Sequence, residues 1–259
     1  MPFTFSHPAI VLPATYLPKK YYSLSGLIVG SMTPDFEYFI RMRDFSRYSH
    51  TWPGVFWFDV PLGLLIIFIF HNVVRNTLIR HLPFFLNVRF SVFEKFNWNK
   101  YFQKNIFIVL ISLVVGIVSH LVWDSFTHNG EYFADMIPLL SDKHNILNHN
   151  VGGAFLFQYI SSVVGLIIMF IYILKFPEGR YTRADNILAF WLLLSLITIM
   201  VVNVRLYLDA IFNQHNHEDL IVTTISGAMI GIISLSVFFK ESSKRQLYKR
   251  LNKIKNRGS

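Results

Sequence analysis

Five stretches of about twenty mostly apolar residues limit what this chain can fold into. They fall at about residues 55–75, 106–123, 154–175, 187–208 and 220–239. A bilayer core roughly 30 Å thick takes a helix of about 20 residues to cross, and inside it every backbone N–H and C=O has to be paired within the protein. Helices meet both demands, so the expected fold is all-α: a polytopic membrane helix bundle with about five spans. Composition agrees, with 15% charged residues against the roughly 25% usual in soluble chains. Mean hydropathy is +0.42.

An earlier apolar run, "YSLSGLIVGSM", is too short to cross. Residues 1–54 are therefore expected to form an N-terminal motif region of shorter helices folded onto the bundle, with spans across 55–239. Residues 1–239 then make a single membrane-embedded domain. Eight of the 24 basic residues lie in the last twenty positions, so 240–259 reads as a basic tail. That clustering makes anionic lipid, rather than nucleic acid, the expected partner of the +9 net charge. The opening "MPFTFSHPAIVLP" lacks the charge-then-leucine pattern of a cleaved leader, and none is expected. With no cysteine in the chain, thiolate sites and disulfides are excluded. Any metal has to be held by nitrogen and oxygen.

Loop charge sets the expected orientation. The links 76–105 and 175–186 and the tail are basic, whereas 124–153 and 209–219 carry one lysine, Lys143, among seven acidic residues. This places the tail in the cytoplasm and the acidic loops outside. Residues 1–54 fall outside too, where Lys19, Lys20, Arg41, Arg43 and Arg47 run against the rule. The stretch 141–153, "SDKHNILNHNVGG", reads as an ordered surface loop or lid.

The second span ends in "SHLVWDSFTHNG", with His120, Asp124 and His128 spaced four and four. Such positions stack on one helix face, about 5.4 Å apart along the axis. Three other blocks fall on the same side: "FSHP" (Phe5–Pro8), "TPDFEYF" (Thr33–Phe39) and "YSHTWPG" (Tyr48–Gly54). Each brings a His or a carboxylate to the end of an apolar helix, and imidazole with carboxylate suits Zn²⁺, Mn²⁺ or Fe²⁺. Taken singly, each feature has a plainer reading. A lone His near a span end hydrogen-bonds at the interface, and Pro-Asp starts a helix. Ionisable groups at membrane depth are costly, however, and four blocks on one side favour a joint site. Asp59 reads either as a partner orienting a ligand imidazole or as a cap, and Arg205 and Asp209 as an i,i+4 ion pair. His144, His149, His215 and His217 are loop histidines.

"MPFTFSHPA", "GSMTPDFEYF", "YSHTWPGVFWFDVPLG" and "HLVWDSFTHNGEYF" closely resemble the bacterial membrane family catalogued as domain of unknown function 4184, over roughly residues 1–135. That family is similar to the inner-membrane metal-dependent hydrolases and, more distantly, to the zinc-dependent phospholipase C fold. The resemblance implies a location in the bacterial cytoplasmic membrane. It also implies a divalent metal, zinc first, held by His7, Asp35, His50, His120 and Asp124. In this chain "PDxD" becomes Pro34-Asp35-Phe36-Glu37, and "THS" becomes Ser49-His50-Thr51.

The function expected from this is metal-dependent hydrolysis at the outer membrane–water boundary, acting on a phosphate ester of a lipid or lipid-linked substrate. Glu37 and His128 are the candidate general bases. Arg41, Arg43 and Arg47 are the candidate phosphate contacts, or else they face headgroups. The alternative is a non-enzymatic membrane protein, either a metal-binding accessory factor or a transporter component. Spans 154–175 and 220–239 are nearly free of charge, which argues against a conduction path.

Overall fold

The computed structural model describes residues 3–128, 130–146, 149–182, 184, 186–211 and 218–255. The chain is 76% helical, which settles the all-α class. Short helical turns come first, and among them the site is built on α1 (Leu24–Gly30) and α2 (Phe36–Arg41). Five long apolar helices follow: α3 (Trp52–His81), α4 (Ile106–Asp124), α5 (Gly153–Leu174), α6 (Ile187–Ile211) and α7 (Glu218–Lys255). In α7 the part that fits a membrane is Asp219–Lys240. All five helices overlap the expected spans. The stretch 141–153 departs from a plain loop. It forms an antiparallel hairpin of β1 (Lys143–Ile146) and β2 (His149–Gly152), in register from Lys143↔Gly152 to Ile146↔His149.

The first span is longer than its apolar run because its far end is not left to lipid. Arg75 is buried there, and its guanidinium donates to the carbonyls of Phe96 (2.9 Å) and Glu94 (3.2 Å). At its near end, Thr51 caps the helix by accepting from the Gly54 N–H at 3.1 Å, with Pro53 in the first turn. Between the two, Val55–Asp59 widens into a π-helical stretch just before Pro61. A proline inside a helix lacks the N–H and crowds the preceding turn, and a π-bulge relieves both.

The residues group into two compact units. One comprises the chain up to Glu37, Phe45–Ile67 and Asn99–Phe176. The other comprises Tyr38–Asp44, Phe68–Trp98 and the chain from Pro177 onward. In the first unit, α1 lies against α4 through small residues. A Cβ on Gly116 would stand 2.5 Å from the Leu27 carbonyl oxygen, and one on Gly26 would stand 2.9 Å from the Val109 carbonyl oxygen. Only glycine permits so close a backbone approach, the small-residue packing typical of helices in lipid. The Ser23 N–H donates to Ser112 Oγ at 2.8 Å and locks the register. The N-terminal turns dock on α5, where Phe3 N–H donates to Ser162 Oγ at 2.9 Å. In the second unit α6 and α7 pack antiparallel, since Gly231 meets Leu194 and Gly227 meets Thr198.

Candidate metal centre

The N-terminal end of α3 and the C-terminal end of α4 come together in the first unit, and the expected ligands meet there. Asp35, His50, His120 and Asp124 each offer one atom to a common space, all within 4.8 Å of one another. His120 comes from the last turn of α4 and Asp124 from its end. Asp35 closes the turn Thr33–Asp35 that follows α1, and His50 comes from the loop just before α3. The packing of α1 on α4 therefore sets the distance between Asp35 and His120.

The spacings are those a shared ion would accept. His120 Nε2 lies 3.3 Å from Asp124 Oδ2 and 3.4 Å from Asp35 Oδ1. His50 Nε2 lies 3.5 Å from Asp124 Oδ2 and 3.7 Å from Asp35 Oδ1. N–H···O bonds run at about 2.7–3.2 Å, so these four pairs are long for hydrogen bonds. Ligands about 2.0–2.2 Å from a shared tetrahedral ion are themselves roughly 3.3–3.6 Å apart, close to the distances found. Among the described residues, both oxygens of Asp35, Oδ2 of Asp124 and Nε2 of His120 are buried with no hydrogen-bond partner. Orphaned polar atoms of this kind are costly unless something fills the space between them. A divalent ion with nitrogen and oxygen ligands fits.

Both imidazoles are oriented through their Nδ1 atoms. His120 Nδ1 donates to the Ser31 carbonyl at 2.8 Å, which turns Nε2 toward the cluster. His50 Nδ1 is 3.0 Å from Ser49 Oγ. Burial alone pushes the Asp35 carboxyl up, but the neighbouring His120 imidazole, with His7 behind it, outweighs burial. The carboxyl is held below its ordinary range, the anionic form that a cation would need.

His7 borders the four. It is buried, stacks on His120 with ring centroids 4.0 Å apart, and approaches Asp124 Oδ1 with Nε2 at 3.2 Å. Asp124 thus turns one oxygen to His7 and the other to His50 and His120.

Glu37 is buried, but its carboxylate is taken up by backbone. It accepts the N–H of Arg47 (3.0 Å), Tyr48 (2.8 Å) and Ser49 (2.8 Å), clasping the loop that delivers His50. That role was not legible in the sequence, because backbone donors carry no sequence signal. His128 lies past the end of α4, its Nδ1 3.0 Å from the Asp124 carbonyl. Arg47 rests over the Tyr48 ring at 5.4 Å. Arg41 and Arg43 belong to the second unit. There Arg43 lies 4.0 Å from Asp209, which also pairs with Arg205 at 3.0 Å, the expected i,i+4 bridge. Asp59 is fully buried on the π-helical stretch and caps no helix end. His144 bonds the Leu139 carbonyl at 2.7 Å, while His215 and His217 lie outside the described residues.

Fold and cluster together define a polytopic helical membrane protein with an internal His/Asp group able to hold a divalent ion. The chain belongs to the family described as Domain of unknown function (DUF4184), whose model matches residues 1–237. That match takes in four spans, most of the fifth and the four motif blocks. No curated protein and no solved structure matches the chain.

Proposed function

We propose that the protein is a metal-dependent hydrolase whose centre sits where the α3 and α4 ends meet the membrane–water boundary. One observation carries this reading: four nitrogen and oxygen ligand atoms converge within 4.8 Å at the ends of two membrane-length helices. Asp35, His50, His120 and Asp124 hold the ion, with His7 fixing the second oxygen of Asp124. A divalent ion in such a set lowers the pKa of water and polarises a scissile oxygen. The likeness of the motif blocks to inner-membrane metal-dependent hydrolases and to the zinc phospholipase C fold supports the same reading, with zinc as the first candidate.

The side chains divide the remaining work. Glu37 is a positioning residue, since its oxygens carry the 47–49 backbone. His128 is the candidate proton acceptor: with Nδ1 turned to the Asp124 carbonyl, Nε2 is the ring nitrogen left to take a proton. Among the four ligands, His50 is the most open, with its side chain 21% exposed against 8% or less for the others. Substrate therefore approaches from the His50 side. Arg47, three residues earlier, is our candidate contact for an anionic phosphate ester carried by a lipid or lipid-linked molecule. We place the chain in the bacterial cytoplasmic membrane with the centre outside and the tail inside, following loop charge.

The near-complete burial of three ligands favours one other reading, a closed structural ion in a non-enzymatic membrane protein. Hydrolysis of phospholipid or lipid-phosphate substrates by zinc-supplied protein in detergent separates the two. Turnover that vanishes in Asp124→Ala supports the enzyme. A zinc-loaded protein inert toward every phosphate, carboxylic ester and amide substrate offered supports the structural ion.

A further inference from the structure

Asp59 is a second kind of anomaly beside the cluster. It is fully buried within a membrane-length helix, and neither carboxylate oxygen has a hydrogen-bond partner among the described residues. Its place in the fold points it toward the centre. Gly63 lies one turn further along the same face of α3, and a Cβ there would meet Thr33 Oγ1 at 3.0 Å and Leu113 Cδ1 at 2.8 Å. Thr33 is two residues before Asp35, and Leu113 is two turns before His120 on α4. The helices run in opposite directions, so one turn back from Gly63 on α3 matches one turn forward from Leu113 on α4. That brings Asp59 to the level just below His120, and the two are within electrostatic reach.

The charges around the cluster leave Asp59 over. Asp35 and Asp124 balance one divalent ion, and Glu37 is satisfied by three backbone N–H groups. A buried anionic oxygen with no donor is unfavourable by itself, but it becomes favourable when a cation sits nearby in a low-dielectric setting.

We infer that Asp59 is a positioning residue that tightens the centre's hold on its divalent ion through its field, without being one of the ligands. This rests on the metal reading above. The test is zinc competition titration of the full-length chain in detergent, comparing wild type with Asp59→Asn and Asp59→Glu, together with thermal melting of the metal-free proteins. Asp59→Asn is expected to weaken zinc 10- to 100-fold, the usual range for partners outside the ligand shell. Asp59→Glu, which keeps the charge, stays closer to wild type. The metal-free Asn variant melts at or above wild type, because an unpaired buried carboxylate has been removed. An unchanged zinc affinity in Asp59→Asn overturns the inference and leaves the metal centre standing. So does a weakened affinity accompanied by a lower melting temperature of the metal-free protein, which assigns Asp59 to folding. A wild type that takes up no zinc removes both readings.

Discussion

His120 and Asp124 face each other one helical turn apart, Nε2 to Oδ2 at 3.3 Å, and both atoms are buried without a hydrogen-bond partner among the described residues. Two groups held this way by one helix make a ready-formed edge of a coordination site, and Asp35 and His50 supply the rest.

The clasp on the 47–49 loop sets where His50 stands. Glu37→Gln keeps the shape but turns one oxygen into a donor facing backbone N–H groups. It is expected to cost about 2 kcal/mol of stability, as lost hydrogen bonds to a charged group do. Thermal melting in detergent reads this. Zinc titration of the same variant is expected to show weaker binding, because His50 loses its anchor.

Gly116 is where α4 admits α1. The atoms a Cβ would meet are the Leu27 carbonyl oxygen and the Ser31 backbone nitrogen, neither of which can swing away. Gly116→Ala is therefore expected to lose about 1–3 kcal/mol by overpacking. It also moves the Ser31 carbonyl that holds His120. A melting temperature equal to wild type would show that the two helices pack less closely than described.

Acid is expected to destabilise the metal-free protein through Asp35. Its carboxyl is held below the ordinary range, so the folded chain binds fewer protons there than the unfolded one. The stability this contributes is present above the ordinary carboxyl value of about 4 and disappears as pH falls through and below it. Between about pH 5 and pH 3, wild type should lose more melting temperature than Asp35→Asn. Parallel pH profiles for the two would remove Asp35 from the account.

Orientation has its own test. A cytoplasm-dependent fluorescent reporter fused after Ser259 is expected to fluoresce, and a reporter active only outside the membrane is expected to work when inserted at Gly130. The reverse pattern places the centre on the cytoplasmic side.

The five spans were legible because a lipid-facing helix has to be apolar over its whole length. The ends were less so. α3 runs on through Arg75 because its partners are carbonyls of Glu94 and Phe96, which no local pattern announces. The β1–β2 hairpin was missed for a related reason, since "SDKHNILNHNVGG" carries no Asn-Gly or Asp-Gly turn signal. In the cluster, the i,i+4 spacing of His120 and Asp124 is a helix property visible in the sequence. The blocks that carry Asp35 and His50 were joined to them by their shared side of the membrane, and the individual ligands by the likeness of whole motif blocks; the distances themselves depend on the packing of α1 on α4 for Asp35 and on the Glu37 clasp for His50. Asp59 stayed ambiguous between a cap and a partner until its burial on a π-helical stretch ruled out the cap.

The most direct measurement is metal content per chain by mass spectrometry, comparing detergent-purified wild type with His120→Ala/Asp124→Ala. A stoichiometric divalent metal in wild type, zinc first, absent from a double variant that still purifies as a folded protein, is the expected result. A wild type that stays empty when zinc, manganese or iron is supplied would contradict the central claim, and the cluster would then be a buried polar network in a structural membrane protein.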